Sequence, residues 1–409
     1  MRDILVTLIV FGSIPFILRK PYIGVLVWSW LSYMNPHRLS WGFAYNMPFA
    51  QITAITLLIS IVFTKEKKSF PLTAVTVIWI IYLIWMGVTT IFSYFPEDAF
   101  IQYKKIIKIQ LITFITMMLM TDLEKIRKLV WIIILSIGYY SVKGGVFTLL
   151  SGGGYRVWGP PDTFIEDNNE LAVAILMVIP LMIYLYKIYD KKIIKIGIII
   201  TISLSFFTVL GSQSRGALVA MVAVGVFFWL ESRRKVMSGL IIVFMAIVLL
   251  AFMPESWYSR METIEKYDKD ASAMGRLNAW QYAINVANDN FFGVGLDAWS
   301  YETFSIYAPE PNDVHAAHSI YFSVLADHGW IGLFLFLMIL YLSWLSLVKI
   351  IKDTDSKEGL SEFNILSRML QVGFISYLVG GAFLSLSYFD LPWHYISIVV
   401  LLRSQLAKQ

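Results

Sequence analysis

The run IIKIGIIITISLSFFTVL at 193–210, the turn GSQSR at 211–215 and the run GALVAMVAVGVFFWLE at 216–231 decide the fold class. Each apolar run approaches the roughly 20 residues that a helix needs to cross a hydrocarbon core about 30 Å thick. The polar break between them is too short to be anything but a turn. The pair therefore reads as two antiparallel membrane spans.

The same reading extends in both directions. Spans are expected near 3–18, 22–34, 46–64, 72–93, 106–120, 129–150, 171–188, 193–210, 216–231, 237–253, 320–350, 364–387 and 393–405. The first two and the last are short, which leaves about 12 transmembrane helices. The run Ile4 to Leu18 leads into Arg19-Lys20 without a small-residue cleavage site, so it reads as a span and not a leader. Composition agrees: of 409 residues, 58% are hydrophobic and 15% charged, against about 25% charged in a water-soluble domain. Fourteen Trp and 22 Tyr suit the aromatic belts at a bilayer surface. The net charge of +5 lies in short loops and calls for no nucleic acid. Without cysteine, disulfides, thiolate nucleophiles and zinc–thiolate sites are excluded.

Basic clusters fix the expected topology. They fall at Lys65 to Lys68, Lys125 to Lys128, Lys187 to Lys195, Arg233 to Lys235 and Lys349 to Lys357. Alternation of spans puts all five on one side, which the positive-inside rule makes cytoplasmic. The outer loops are then 94–105, 151–170, 211–215 and 254–318. This divides the chain into transmembrane helices over 1–253, a large periplasmic loop over 254–317 and further spans over 318–409. The large loop carries ten acidic residues against four basic ones, and many aromatics. Leu277, Trp280, Ile284 and Ala287 recur in it at helical spacing, with Ser272 as N-cap. A loop so long and aromatic reads as a folded, functional cap.

Arg215 stands in a turn close to the hydrocarbon, where a guanidinium is costly unless paired. It also precedes a helix N-terminus, whose free N–H groups and dipole attract anions. Together they would make a diphosphate clamp, with Ser214 beside it; the plainer reading is an arginine reaching lipid headgroups. Arg276, in Met-Gly-Arg-Leu-Asn-Ala-Trp, is by itself an ordinary surface arginine. Three of the five histidines, His315, His318 and His328, fall within fourteen positions. His318 sits at the mouth of a span, where a neutral imidazole can take a proton. His315 and His318 could share a helical face, yet no HExxH pattern accompanies them, so no metal site is assigned. In loop 151–170, Arg156 follows a Gly-rich run, and Asn169 lies in Glu166-Asp-Asn-Asn-Glu170 at the start of the next span. Helix capping alone would explain that cluster.

At these residues the sequence resembles the O-antigen ligase superfamily of bacterial glycan transferases. The resemblance rests on Ser214-Arg-Gly216, Arg276-Leu-x-x-Trp280, Gly293-x-Gly295 and His318-Ser-x-Tyr-x-x-x-Leu-Ala-x-x-Gly329. Asn169-Glu-Leu-Ala resembles that family's Asn-x-Leu-Ala entry to a span. It covers about residues 130–350. Arg2-Asp-Ile-Leu-Val and Met34-Asn-Pro-His-Arg38 are similar to a subgroup of O-glycosylation ligases associated with the exosortase A system. Ser319 follows His318 where many members have His-Asn, and Asn168 stands where proline is common.

The resemblance implies an all-α, GT-C-like polytopic membrane enzyme of the bacterial inner membrane, working at its periplasmic face. It would transfer a glycan from an undecaprenyl diphosphate carrier to an acceptor hydroxyl on a lipid or protein, with inversion and with no metal or other cofactor. Arg215 and Arg276 would hold the diphosphate, and His318 would orient or deprotonate the acceptor. Arg156, Asn169, Ser214 and His315 would line the substrate site. A lipid-linked glycan polymerase and a protein O-oligosaccharyltransferase would use much the same residues. A transporter of lipid-linked glycans is the alternative of another class, but it should place polar groups near mid-span. Here they gather at outer ends.

Overall fold

The computed structural model describes residues 1–408 except 233, 252, 256 and 259–270. Among the described residues every regular element is helical: α1 Arg2–Arg19, α2 Tyr22–Met34, α3 Phe49–Phe63, α4 Ala74–Ile91, α5 Pro96–Leu119, α6 Leu123–Leu150, α7 Asn168–Ile188 and α8 Lys192–Gly211. They continue with α9 Arg215–Glu231, α10 Lys235–Ala251, α11 Ala271–Asp289, α12 Tyr301–Tyr307, α13 Ile320–Thr354, α14 Ser361–Gly380 and α15 Asp390–Leu406. Among the described residues six helices (α4, α6, α7, α8, α13 and α14) are long and apolar enough to cross a membrane. Shorter apolar helices include α2, α3 and most of α9.

Local chemistry sets the helix starts. Thr73 and Thr76 form a capping box for α4, Asp122 caps α6 and Asp167 caps α7. Helix α5 begins ten residues before its expected start, with Pro96 at its first position and Glu97 and Asp98 in its first turn. The expected outer loop 94–105 is therefore mostly helix. The described part of α11 begins at Ala271, so Ser272 lies inside it and not at its cap. The ionic residues Arg260 to Asp270 and Arg233 fall outside the described residues.

Helix α7 is buried on nearly every side from Asn168 to Leu185, as an all-round apolar helix must be. Trp79 stacks on Trp393 at 4.9 Å in the core beside it. Outward-facing Leu8, Ile84, Ile193 and Phe334 are exposed, a surface suited to lipid.

The basic loops gather at one end of the bundle. There Arg127 grips Glu362 through two N–H groups at 2.8 Å, Tyr184 donates to the same carboxylate at 2.7 Å, and Arg403 meets Asp353 at 2.8 Å. At the other end, Tyr140 donates to the Met34 carbonyl at 2.6 Å and Arg38 meets Asp162 at 3.3 Å.

Residues 271–308 and the start of α13 share a small core of Ala279, Tyr282, Ala283, Val286 and Phe304 with Leu325 and Ala326. Its helical face runs through Ala279 and Ala283, small enough to let α11 lie close to α13, while Leu277 is 45% exposed. Helix α13 breaks at Gly329, φ 66°. The backbone of 293–295 lines up with that break: Val294 N–H donates to Ala326 O at 2.9 Å and Gly295 N–H to Asp327 O at 3.1 Å. A Cβ on Gly293 would lie 2.4 Å from Ala326 O, so glycine is required there.

Candidate active site

Four segments meet at the end of the bundle away from the basic loops. The first is the turn before α9. Ser214 caps the helix, its Oγ accepting from Ala217 N–H at 3.1 Å, and Arg215 is the first helical residue. Gln213 takes the left-handed region, φ 56°, and donates to Gly153 O at 3.2 Å. The second segment is the start of α7, where Asn168 donates to Ser212 O at 2.6 Å and so fastens the turn. Helix α9 thereby presents its N-terminal N–H groups and positive dipole end beside a guanidinium.

The third segment joins α11 to the strand-like run before α13. Asn278 donates to the carbonyls of Glu310 and Asp313 at 2.9 and 3.0 Å and accepts from Glu310 N–H at 2.9 Å. Trp280 donates to Ala317 O at 2.8 Å and stacks on Phe322 at 4.8 Å. His315 bonds Asp313 at 2.7 Å and covers Gly275, where a Cβ would meet its ring at 2.5 Å. Arg276 follows Gly275 directly. The fourth segment, Gly381–Phe383, packs Phe383 against Gly216, where an added Cβ would lie 3.3 Å from it, and against the Trp280 ring at 6.4 Å.

His318 lies at the centre, just before α13, with φ 42°. A non-glycine residue in the left-handed region costs about 1 kcal/mol, a strain that tends to persist where a side chain must be aimed. Burial holds its imidazole below the ordinary 6.5; the nearby Arg276 guanidinium pushes the same way, Asp167 opposes and His315 adds a smaller lowering. The ring is therefore neutral at pH 7, able to accept a proton at one nitrogen.

The structure thus brings Arg276, His315 and His318 into one cluster. Arg215 starts the helix whose next residue, Gly216, packs on Phe383, and Phe383 lies against Trp280; Ser214 is buried as the cap of that helix. Asn169 is half-buried and its Nδ2 donates to Asp167 Oδ1 at 2.6 Å. Arg156 is exposed on the loop one residue before Val157, whose N–H donates to Gly211 O at 3.1 Å. The Glu166–Glu170 cluster, which helix capping alone would explain, also supplies Asp167, a residue not singled out from the sequence, whose charge acts on His318. Asp167 does cap α7, accepting from Asn169 N–H at 2.8 Å. Nearby, Glu170 Oε2 is buried with no hydrogen-bond partner. His328 lies in a separate buried network, 2.7 Å from Thr89 Oγ1 and 3.0 Å from Tyr388 Oη, which also donates to Asp327 at 2.7 Å. Asp313 and His315 pair, but among the described residues no group of three His, Asp or Glu could hold a metal ion.

The matched family decides the class. Residues 200–337, which contain Arg215, Arg276, His315 and His318, match the O-antigen ligase family. This region belongs to the O-antigen ligase superfamily. Residues 1–190, which contain Arg156, Asp167 and Asn169, match a family of unknown function (DUF5935). No curated protein matches the chain. An O-antigen ligase region with a neutral histidine beside an arginine is suited to glycosyl transfer: cations accept the charge of a leaving group and the imidazole accepts a proton.

Proposed function

We propose that this chain is a glycan ligase of the bacterial inner membrane. It transfers an oligo- or polysaccharide from undecaprenyl diphosphate to an acceptor hydroxyl at the periplasmic face, with about 12 spans holding the site at that depth. The observation that carries this reading is the cluster of Arg276 and neutral His318 inside the family-matched region.

In the reaction the bond between the anomeric carbon and the diphosphate oxygen breaks, and the acceptor oxygen bonds that carbon from the opposite face. The acceptor proton moves to a ring nitrogen of His318. The electron pair leaves with the diphosphate, whose growing charge is met by Arg215, Arg276 and the N-terminus of α9. One displacement inverts the anomeric centre. Asp167 supports the imidazolium that forms, since its charge favours a protonated His318. Asn169 holds Asp167, and in this reading Arg156 and His315 bind the substrate. The acceptor in this reading is a lipid or a protein at the periplasmic face.

The test is reconstitution. Purified protein mixed with an undecaprenyl-diphosphate glycan and separate lipid, peptide and glycan acceptors should give a glycosylated lipid or peptide, read by mass spectrometry. Elongation of lipid-linked glycan alone would make the chain a polymerase.

A further inference from the structure

A cavity of about 1100 Å³ opens between α7, α8, α9, α10 and α14, in the half of the bundle away from the candidate active site. Its walls are mostly apolar, including Leu176, Ile179, Phe206, Met221 and Ile242, with the buried Gln371 among them. Val222 and Val226, on its α9 wall, are exposed, so it is open sideways toward the surrounding membrane. Its rim is polar and charged, with Lys187, Asp355, Asn364 and Arg368. Arg368 is held in place there, donating to Asn364 at 2.9 Å and lying 3.8 Å from Asp355. Among the described residues that line it, the rim carries two cations, Lys187 and Arg368, and one carboxylate, Asp355.

From Leu176 to Lys187 the α7 wall spans about 16 Å, at 1.5 Å per residue. That is about one leaflet of a bilayer with a core about 30 Å thick. The shape, an apolar space one leaflet deep with a cationic mouth at the basic end of the bundle, complements a two-chain lipid with an anionic head. Basic pockets between spans on that side of a membrane are where anionic headgroups bind.

We propose that this cavity holds one glycerophospholipid with an anionic headgroup, its acyl chains between α8, α9 and α10 and its phosphate at Lys187 and Arg368. The site is separate from the candidate active site and does not rest on the transferase reading. The lipid fills space that the helices leave open and ties the α9–α10 pair to α7 and α14.

The full-length protein, purified in a neutral detergent, would be titrated with phosphatidylglycerol, phosphatidylcholine or undecaprenyl phosphate and read by native mass spectrometry. Wild type should retain one phosphatidylglycerol per chain at least ten-fold more than phosphatidylcholine. Gly225→Leu places a side chain in the cavity without a clash, the nearest atom to its Cβ being Ile242 at 3.8 Å. This variant should lose phosphatidylglycerol about ten-fold with no lower melting temperature. Lys187→Gln should bring the two glycerophospholipids to within about two-fold, and it decides alone if Gly225→Leu does not fold. Equal retention of both lipids by wild type, or unchanged retention by both variants, overturns the proposal. Displacement of phosphatidylglycerol by an equal amount of undecaprenyl phosphate would also overturn it, making the cavity a carrier-lipid site.

Discussion

The indole N–H of Trp280 donates to the carbonyl of Ala317 at 2.8 Å, and this bond joins the helix that carries Arg276 to the residue before His318. The two candidate groups are otherwise far apart in sequence and reach each other through the α11–α13 contact. Trp280→Phe keeps an aromatic ring against Phe322 and removes the donor. It should cost about 1–3 kcal/mol of stability, the penalty of leaving the buried Ala317 carbonyl unpaired. Transfer should fall by about ten-fold, because His318 loses its register. A thermal melt and an initial-rate assay on the same preparation separate the two effects.

The state of His318 should show in the pH profile. A base works deprotonated, and burial followed by Arg276 holds this imidazole below 6.5. The kcat/KM of transfer should therefore rise with pH through a midpoint below 6.5 and be level by pH 7. Asp167 pulls the other way, so Asp167→Asn should move the midpoint to lower pH. Arg276→Gln, followed by NMR titration of the ring because activity is lost, should move it up. A midpoint at or above 7 in the wild type would contradict the assignment.

Arg215→Ala should lower kcat/KM by about 10²-fold or more, the usual cost of removing a donor aimed at developing charge. Arg215→Lys should recover little, since an ammonium cannot make the planar two-pronged contact. If Arg215 and Arg276 grip one diphosphate, the double alanine variant should lose less than the product of the single losses. The full product would place them on different groups.

Gly293 and Gly295 take φ 72° and 87°, and a Cβ on Gly295 would lie 2.1 Å from Ser93 Oγ. Alanine at either position strains the backbone and parts the 293–295 run from the break in α13. Each change should destabilise by more than about 1 kcal/mol, seen as a lower melting temperature and less protein in the membrane. A catalytic defect at normal stability would instead give these glycines a role at the substrate.

The apolar runs at 74–91, 129–150 and 193–210 were legible because a spanning helix has no other way to satisfy its backbone in lipid. The sequence put Arg215 just before a helix start, and the structure makes it the first residue of α9 with Ser214 as the cap. The early start of α5 was written in Pro96-Glu97-Asp98, but Lys104, Lys105 and Lys108 interrupt the apolar pattern and hid it. The break at Gly329 had no local signal, because it depends on the 293–295 run lying alongside. Likewise Asp167 reads locally as a cap; its influence on His318 arises only when α7 and α13 are brought together, which no local pattern encodes.

Donor binding and transfer measured on the same His318→Ala preparation test the central claim most directly. In the proposed reaction the arginines handle the diphosphate and His318 handles the acceptor. The variant should therefore bind an undecaprenyl-diphosphate glycan within about two-fold of wild type while transfer drops by at least 10²-fold, the lower range for loss of a general base. Wild-type transfer by His318→Ala, with Arg215→Ala inactive, would contradict the account and make the histidine structural.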